Sequence, residues 1–433
     1  MSMSSRTKGL VGVALVGLSS AAHAQLGAKK PAPPVAPVAS SSATPPAGAP
    51  AVPPPGTIDT TFDPKEGFTG GVVAAIAVRP DKIAVGGTFS VYRGLPRRGI
   101  AVLRNDGQLD PEFAPSPDDK FDGGGGGVRA VSFQGDKLLV GGAFSGYGGG
   151  KWPKQVRPSL IRLLPNSAPD PTFNLGTEPL GDVTSLKVLR GGQILAAGRM
   201  CVVQGARRSG IVRFNSDGKL DTSFDAKLSK PVTPASALTS DCGTGGVKDM
   251  AVAPDGSIVV VGAFQGYDSR STTYVHRMNA DGSPIAGFKA LSLTPPVRNL
   301  GYPLEVTGVA IDADGKILIS GAFGKVNGRN RPGVARLLPD GTLDNSFTPS
   351  FEVVGGLMGV VALSGGRVLA HGSDQLYMLW ANGDKVPHFT VPQLNFGPHV
   401  AALGAGDRLF LGGPPMAGGN MAKPGIGKVW AAP

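Results

Sequence analysis

The alternation of apolar and polar positions repeats one pattern seven times along the chain. A short apolar strand, a tight turn and a second apolar strand recur as AVRPDKIAVGGTF, VSFQGDKLLVGGAF, KVLRGGQILAAGRM, AVAPDGSIVVVGAF, AIDADGKILISGAF, VALSGGRVLAHGS and ALGAGDRLFLGGP. The first apolar residue after each turn is Ile83, Leu138, Ile194, Ile258, Ile317, Val368 and Leu409, so the unit is about fifty residues long with loops of varying length. A second block follows in units one to six, as in GIAVLRNDGQLDPEF and GVARLLPDGTLDNSF. It reads as a third strand, an Asp-Gly or Asn-Gly type turn, and a short fourth strand ending in phenylalanine. Four antiparallel strands per unit of this length predict an all-β fold, a seven-bladed β-propeller.

In the first strands one side carries larger groups (Ile76, Val78, Val131, Phe133) and the other small ones (Ala75, Ala77, Ala130, Ser132). Such alternation suits inner strands crowded on both faces by neighbouring blades. Unit seven stops after its third strand, GKVWAA, while an orphan fourth strand, residues 58–62, precedes unit one. Pairing of the two is expected to complete the last blade and close the ring, leaving no exposed end units to cap. The propeller is therefore expected over residues 57–433.

These blocks resemble the delta-60 repeat, a secreted bacterial propeller repeat whose pattern reads roughly DGKIxxGGxF, a third strand with Arg-Leu, then DGxLDxSF. The resemblance runs from residue 58 to 433 and is clear in units one to five. Units six and seven depart: Ser373 and Pro414 replace the phenylalanine or methionine after the second strand, and Asp-Gly is inverted or lost. The resemblance implies a propeller and carries no activity or catalytic residues to transfer.

Composition agrees with short strands and tight turns. Glycine (66) and proline (39) make up about a quarter of the 433 residues, only 17% are charged, and the formal net charge is +11. Residues 1–24 show the order of a bacterial secretory signal peptide: Arg6 and Lys8, an apolar run from Gly9 to Leu18, then Ala22-His23-Ala24 with cleavage expected before Gln25. The apolar run is too short to span a bilayer, and an extracytoplasmic mature chain, a monomer without a transmembrane segment, is expected. Residues 25–56 are a Pro/Ala/Ser-rich segment with little to bury, expected as a disordered linker.

Strings such as Asp312-Ala-Asp314-Gly lack the further oxygen ligands and closing glutamate of a calcium loop, and hairpin turns account for them. Arg162, Arg213 and Arg336 each lie eight residues before Asp170, Asp221 and Asp344, which sets them opposite each other across a hairpin as structural ion pairs. His276, His371, His388 and His399 show no metal-ligand spacing, and no nucleophile elbow, phosphate loop or dinucleotide fingerprint appears. No cofactor or metal is expected. The glycine run 123–127 reads as a plain linker between blades one and two.

Three expectations about function follow. The first is a noncatalytic binding or scaffolding propeller. The alternative is a propeller hydrolase, lyase or lactonase using acids at the channel mouth, drawn from Glu66, Asp118, Asp119, Asp122, Glu178 and Asp182. The second expectation is a Cys201–Cys242 disulfide, set by export and by loops that emerge on one face. The third is a basic rim on the loops between second and third strands: Arg93, Arg97, Arg98, Lys151, Lys154, Arg157, Arg207, Arg208, Arg270, Lys325, Arg329, Arg331 and Lys423, against only Asp268 and Asp374. Such a field attracts an anionic polysaccharide, lipopolysaccharide phosphates, extracellular nucleic acid or another surface component, a protein partner being the further expectation, although a merely solvating surface has the same composition.

Overall fold

The computed structural model describes residues 53–431 apart from 123–126, 157–158, 177–179, 201, 209, 227, 229–245, 266–271, 297–302, 352, 354–355, 373–374, 390, 392–397 and 415–424. Among the described residues seven main three-stranded antiparallel sheets follow one another, one per unit, beside three smaller three-stranded sheets and one two-stranded sheet. The main sheets run from unit one (Val73–Val78, Lys82–Gly87, Ile100–Arg104) to unit seven (Val400–Leu403, Arg408–Gly412, Ile426–Trp430). Second strands are buried almost end to end, as in Lys137–Gly142 and Val368–Gly372, because a sheet lies over each of their faces.

The expected fourth strand is shortened to a single bridge per unit. Leu109, Pro169, Leu220, Pro284, Leu343 and Lys385 each bridge the third strand of their own unit. The aspartate after the bridge ends the strand. In unit two Asp170 Oδ1 accepts from Thr172 N at 2.9 Å and Asp170 O from Phe173 N at 3.2 Å, a turn that swings the phenylalanine inward. Ladder pairing cannot continue through such a turn.

The three expected ion pairs form, with Arg162–Asp170, Arg213–Asp221 and Arg336–Asp344 at 2.8, 2.7 and 2.8 Å. Each guanidinium also lies over the phenylalanine of its own unit, Phe173, Phe224 or Phe347, 4.6 to 5.0 Å from the ring centre. Burial opposes ionisation of Asp170, but hydrogen bonds from Lys137, Thr172 and Arg162 outweigh it and hold the carboxyl well below the usual range. Arg162 and Arg213 further donate to the backbone of the next unit, at Ser216 O and Ala280 O. Arg277 does the same at Pro339 O, 2.6 Å away. Its own hairpin places Ile285 where units one, two, three and five have aspartate, so it pairs instead with Asp255 at 2.9 Å, across the first turn.

The segment before unit one joins unit seven by the same contacts. Ile58 bridges Val429, Asp59 N donates to Lys428 O at 2.9 Å, and Trp430 N to Thr57 O at 2.9 Å. Asp59 accepts from Thr61 and pairs with Lys428 and Arg408 at 3.1 and 3.2 Å, as Asp170 does with its threonine and cations. Burial works against ionised Asp59, yet the Thr61 and Lys428 bonds bring its pKa down to about 2. One apolar cluster holds Phe62, Phe410 and Ile426 together with Val73, Ile83 and Val85. A Cβ on Gly412 would come within 2.5 Å of Val73, just as one on Gly141 would come within 2.6 Å of Val183 in the next unit.

Candidate functional site

The connections between second and third strands are not open loops in units one, three and five. They are hairpins with two-residue turns at Arg93-Gly94, Gln204-Gly205 and Asn327-Gly328, where both residues have positive φ. The signal was present in the sequence as a residue-glycine pair between short apolar runs. Unit two has a longer version, Gly146–Gly148 with Gln155–Val156. In units one, two and five a segment entering the unit adds a third strand: Phe68–Thr69, Lys120–Asp122 and Leu293–Thr294.

These hairpins fold back along the outside of their own sheets. Tyr92 Oη donates to Gly107 O at 2.6 Å, and Gln204 Nε2 to Gly218 O at 2.8 Å. Gly107 and Gly218 lie in turns beyond the far end of the third strand, about 16 Å from the hairpin base for five residues at strand rise. A hairpin projecting away from its base could not reach them. In units one and three the cations of these hairpins therefore lie along the flank of their own sheets.

Their individual placements differ. Arg97, Arg208 and Arg331 sit at the same register, two residues before Gly99, Gly210 and Gly333, and each turns back to donate to the preceding carbonyl at 2.7 Å. The Nε of each is buried with no hydrogen-bond partner among the described residues, and burial lowers the pKa of Arg97 and Arg331. Arg98 is exposed and donates from Nε to Pro117 O at 2.8 Å. Lys151 lies over the Trp152 ring, 4.9 Å from its centre, and Lys154 pairs with Asp122 at 3.1 Å. Arg93 and Arg207 lie on the hairpins of units one and three, and Lys325 and Arg329 on the two arms of the unit-five hairpin. Arg157, Arg270, Lys423, Asp268 and Asp374 lie outside the described residues, as do Cys201, Cys242 and most of the glycine run.

One group of cations does converge. Arg98 bridges Lys120, and Lys120 pairs with Gly148 in the small sheet of unit two, whose outer hairpin arm starts beside Lys154. Lys120 sits on the connection between units and was not among the sequence candidates. Its closeness to Arg98 depends on two units meeting.

The candidate acids are dispersed and largely engaged. Asp119 is buried and accepts from Ser116 N, Gly150 N and Trp152 N at 2.9 to 3.1 Å. Asp182 pairs with Arg129 of the preceding unit. Glu66 and Asp118 are exposed, and Glu178 lies outside the described residues. Arg129 occupies a bulge that recurs at Thr184, Lys248 and Thr307, and each of these reaches the next unit: Lys248 to Glu305 at 3.2 Å, Thr184 to Val247 O at 2.8 Å, Thr307 to Leu357 O at 2.6 Å. Asp249, in the same girdle, accepts from Ser185 Oγ at 2.9 Å and Val309 N at 3.2 Å, tying three units together. Among the described residues no cluster of three His, Cys, Asp or Glu could hold a metal ion, and no helix is long and apolar enough to cross a membrane.

Five stretches, 80–113, 134–173, 192–224, 253–288 and 313–347, match a domain of unknown function described as a β-propeller, DUF5122. They correspond to units one to five. Among curated proteins no sequence matches. Solved structures with a similar course of chain include YCF48 bound to D1 peptide, 12% identical over 84% of this chain and 95% of that one, TM-score 0.47. The Pan2 WD40 domain of Neurospora crassa is 11% identical over 87% and 97%, TM-score 0.46. A gluconolactonase from Xanthomonas campestris is 14% identical over 70% and 94%, TM-score 0.35. At these values none of the three bears on activity.

Proposed function

We propose that this chain, five stretches of which match a β-propeller domain model, is a noncatalytic binding propeller of the delta-60 kind, exported from the bacterial cytoplasm, whose ligand is an anionic polymer. In this reading the seven sheets are the blades of one ring, closed by residues 57–62 against unit seven. The seam contacts, which repeat the interior ones residue for residue, support that closure. Residues 1–24 are the export signal and 25–56 the spacer. The enzymatic alternative needs acids free to act together, whereas Asp119, Asp122 and Asp182 are taken up in structural bonds.

The observation that carries the ligand class is the meeting of Arg98 and Lys120 across two units, with Lys151 and Lys154 on the adjoining hairpin. Four cations against Asp118, Asp119 and Asp122, of which Asp119 is buried, leave a positive flank that phosphate or sulfate groups of a polymer would neutralise. Binding to heparin-like polysaccharide and to lipopolysaccharide is expected at low salt and is expected to weaken steeply as salt rises. A protein carrying Arg98→Ser, Lys120→Ser, Lys151→Ser and Lys154→Ser should lose it. Equal binding by that protein, or none by the wild type at low salt, overturns the proposal.

Export also places Cys201 and Cys242 in an oxidising compartment, and a disulfide between them is part of the same proposal. Thiol titration of the unfolded, unreduced protein is expected to find none. Two titrating thiols would rule the bond out.

A further inference from the structure

The first-to-second and third-to-fourth turns of the units lie at one end of their sheets. Earlier units turn there on charged residues such as Asp81 and Lys82, Asp136 and Lys137, Asp217 and Lys219, or Asp312 and Asp314. Unit six turns on Ser364, Gly365, Gly366 and Arg367, and unit seven on Gly404, Ala405 and Gly406 followed by Asp407 and Arg408. Three of the large apolar side chains left exposed, Leu338, Trp380 and Leu403, lie at this end in units five to seven, Trp380 at 39% exposure.

Trp380 borders a cavity of about 450 Å³ with Gly365, Arg367, Ala381 and Asn382. A side chain at Gly365 would meet nothing within 4 Å, so the space beside it is open. Arg367 offers no unpaired charge. Its guanidinium donates to Ala431 O, to Ser364 O at 3.2 Å and to Ser364 Oγ at 3.1 Å, and Asp407 lies 4.0 Å away. The space is thus an open groove with an exposed indole, the small residues Gly365 and Ala381, and a polar edge where Asn382 Nδ2 donates to Asp384 Oδ2 at 2.7 Å and Asn382 Oδ1 accepts from Asp384 N at 3.0 Å. A ligand that fits needs an apolar face for the ring and neutral hydroxyls or amides at its rim, because an anion would be desolvated there without a free cation to pair with.

We propose that Trp380 and the floor of Gly365 and Ala381 form a binding site for a neutral pyranose unit of a glycan. The pyranose presents C–H groups on its face and hydroxyls around its edge, which matches the aromatic wall and the paired Asn382 amide and Asp384 carboxylate. The site is separate from the cationic flank of units one and two and does not depend on it.

The full chain is titrated with neutral cello-, malto- and chito-oligosaccharides, followed by calorimetry and tryptophan fluorescence at low and high salt. Saturable binding that is insensitive to salt is expected for at least one of them. Trp380→Ala and, separately, Ala381→Leu, which fills the floor while keeping the indole, are each expected to weaken it roughly tenfold or more. Neither should change binding of the anionic polymer. The proposal is overturned if no neutral oligosaccharide saturates up to roughly 10 mM, a free energy near the weakest specific range, or if both variants bind like the wild type.

Discussion

Deleting residues 57–63 is expected to lower the melting temperature sharply, and Phe62→Ala alone to cost about 3–5 kcal/mol. Phe62 is 3% exposed and meets Phe410 edge-on, with ring centres 5.6 Å apart. Removing the segment also strips the partners from Trp430 N and Lys428 O, and leaves the third strand of unit seven as a bare edge. In addition Lys428 and Arg408 lose the Asp59 carboxylate between them. If the first and last units did not hold each other, residues 57–63 would be a loose end whose loss changes little. An unchanged melt in calorimetry of the deleted protein would therefore contradict the closed ring.

Stability should also fall as the pH is lowered from about 6.5 to about 4, with His371 responsible for about 3 kcal/mol of the loss. Burial pushes its pKa down to about 4, the bond to Pro398 O at 2.9 Å acts in the opposite direction, and neighbouring His399 adds to the lowering. An unfolded histidine titrates near 6.5. Between the two values the unfolded chain binds a proton that the folded chain refuses, so stability rises with pH across this window and is constant above it. His371 packs against Gly359, where a Cβ would come within 2.3 Å of its ring, so the imidazole has no room to move toward water on that side. His276, held at about 4 by burial, contributes a second share. Melting temperatures measured from pH 7.5 to 4.5 should therefore show a shallower decline in His371→Gln than in the wild type. Equal slopes would remove His371 from the account. Loss below pH 4 belongs to the carboxylates with lowered values, such as Asp59.

What lay within one unit was legible in the sequence by itself. Strand alternation, the Asp-Gly turns and the eight-residue Arg–Asp spacing act over fewer than about twenty residues, and local turn chemistry with side-chain periodicity determines them. Arg162, Arg213 and Arg336 consequently meet their aspartates as the spacing required. The length of the fourth strand was misread because Asp170 and its equivalents suit both a strand end and a turn, and the side-chain bond to Thr172 favours the turn. Arg277 was missed because its partner, Asp255, lies across a different hairpin. Only the tertiary structure decided whether the second-to-third connections would project or fold back, since that depends on Tyr92 finding Gly107 and on incoming strands such as Phe68–Thr69. It also decided which residues of different units would meet: the backbones of Arg98 and Lys120, and the charges of Arg129 with Asp182 and Lys248 with Glu305. These partners belong to different units, and their approach depends on how two sheets pack, which the alternation within either one does not encode.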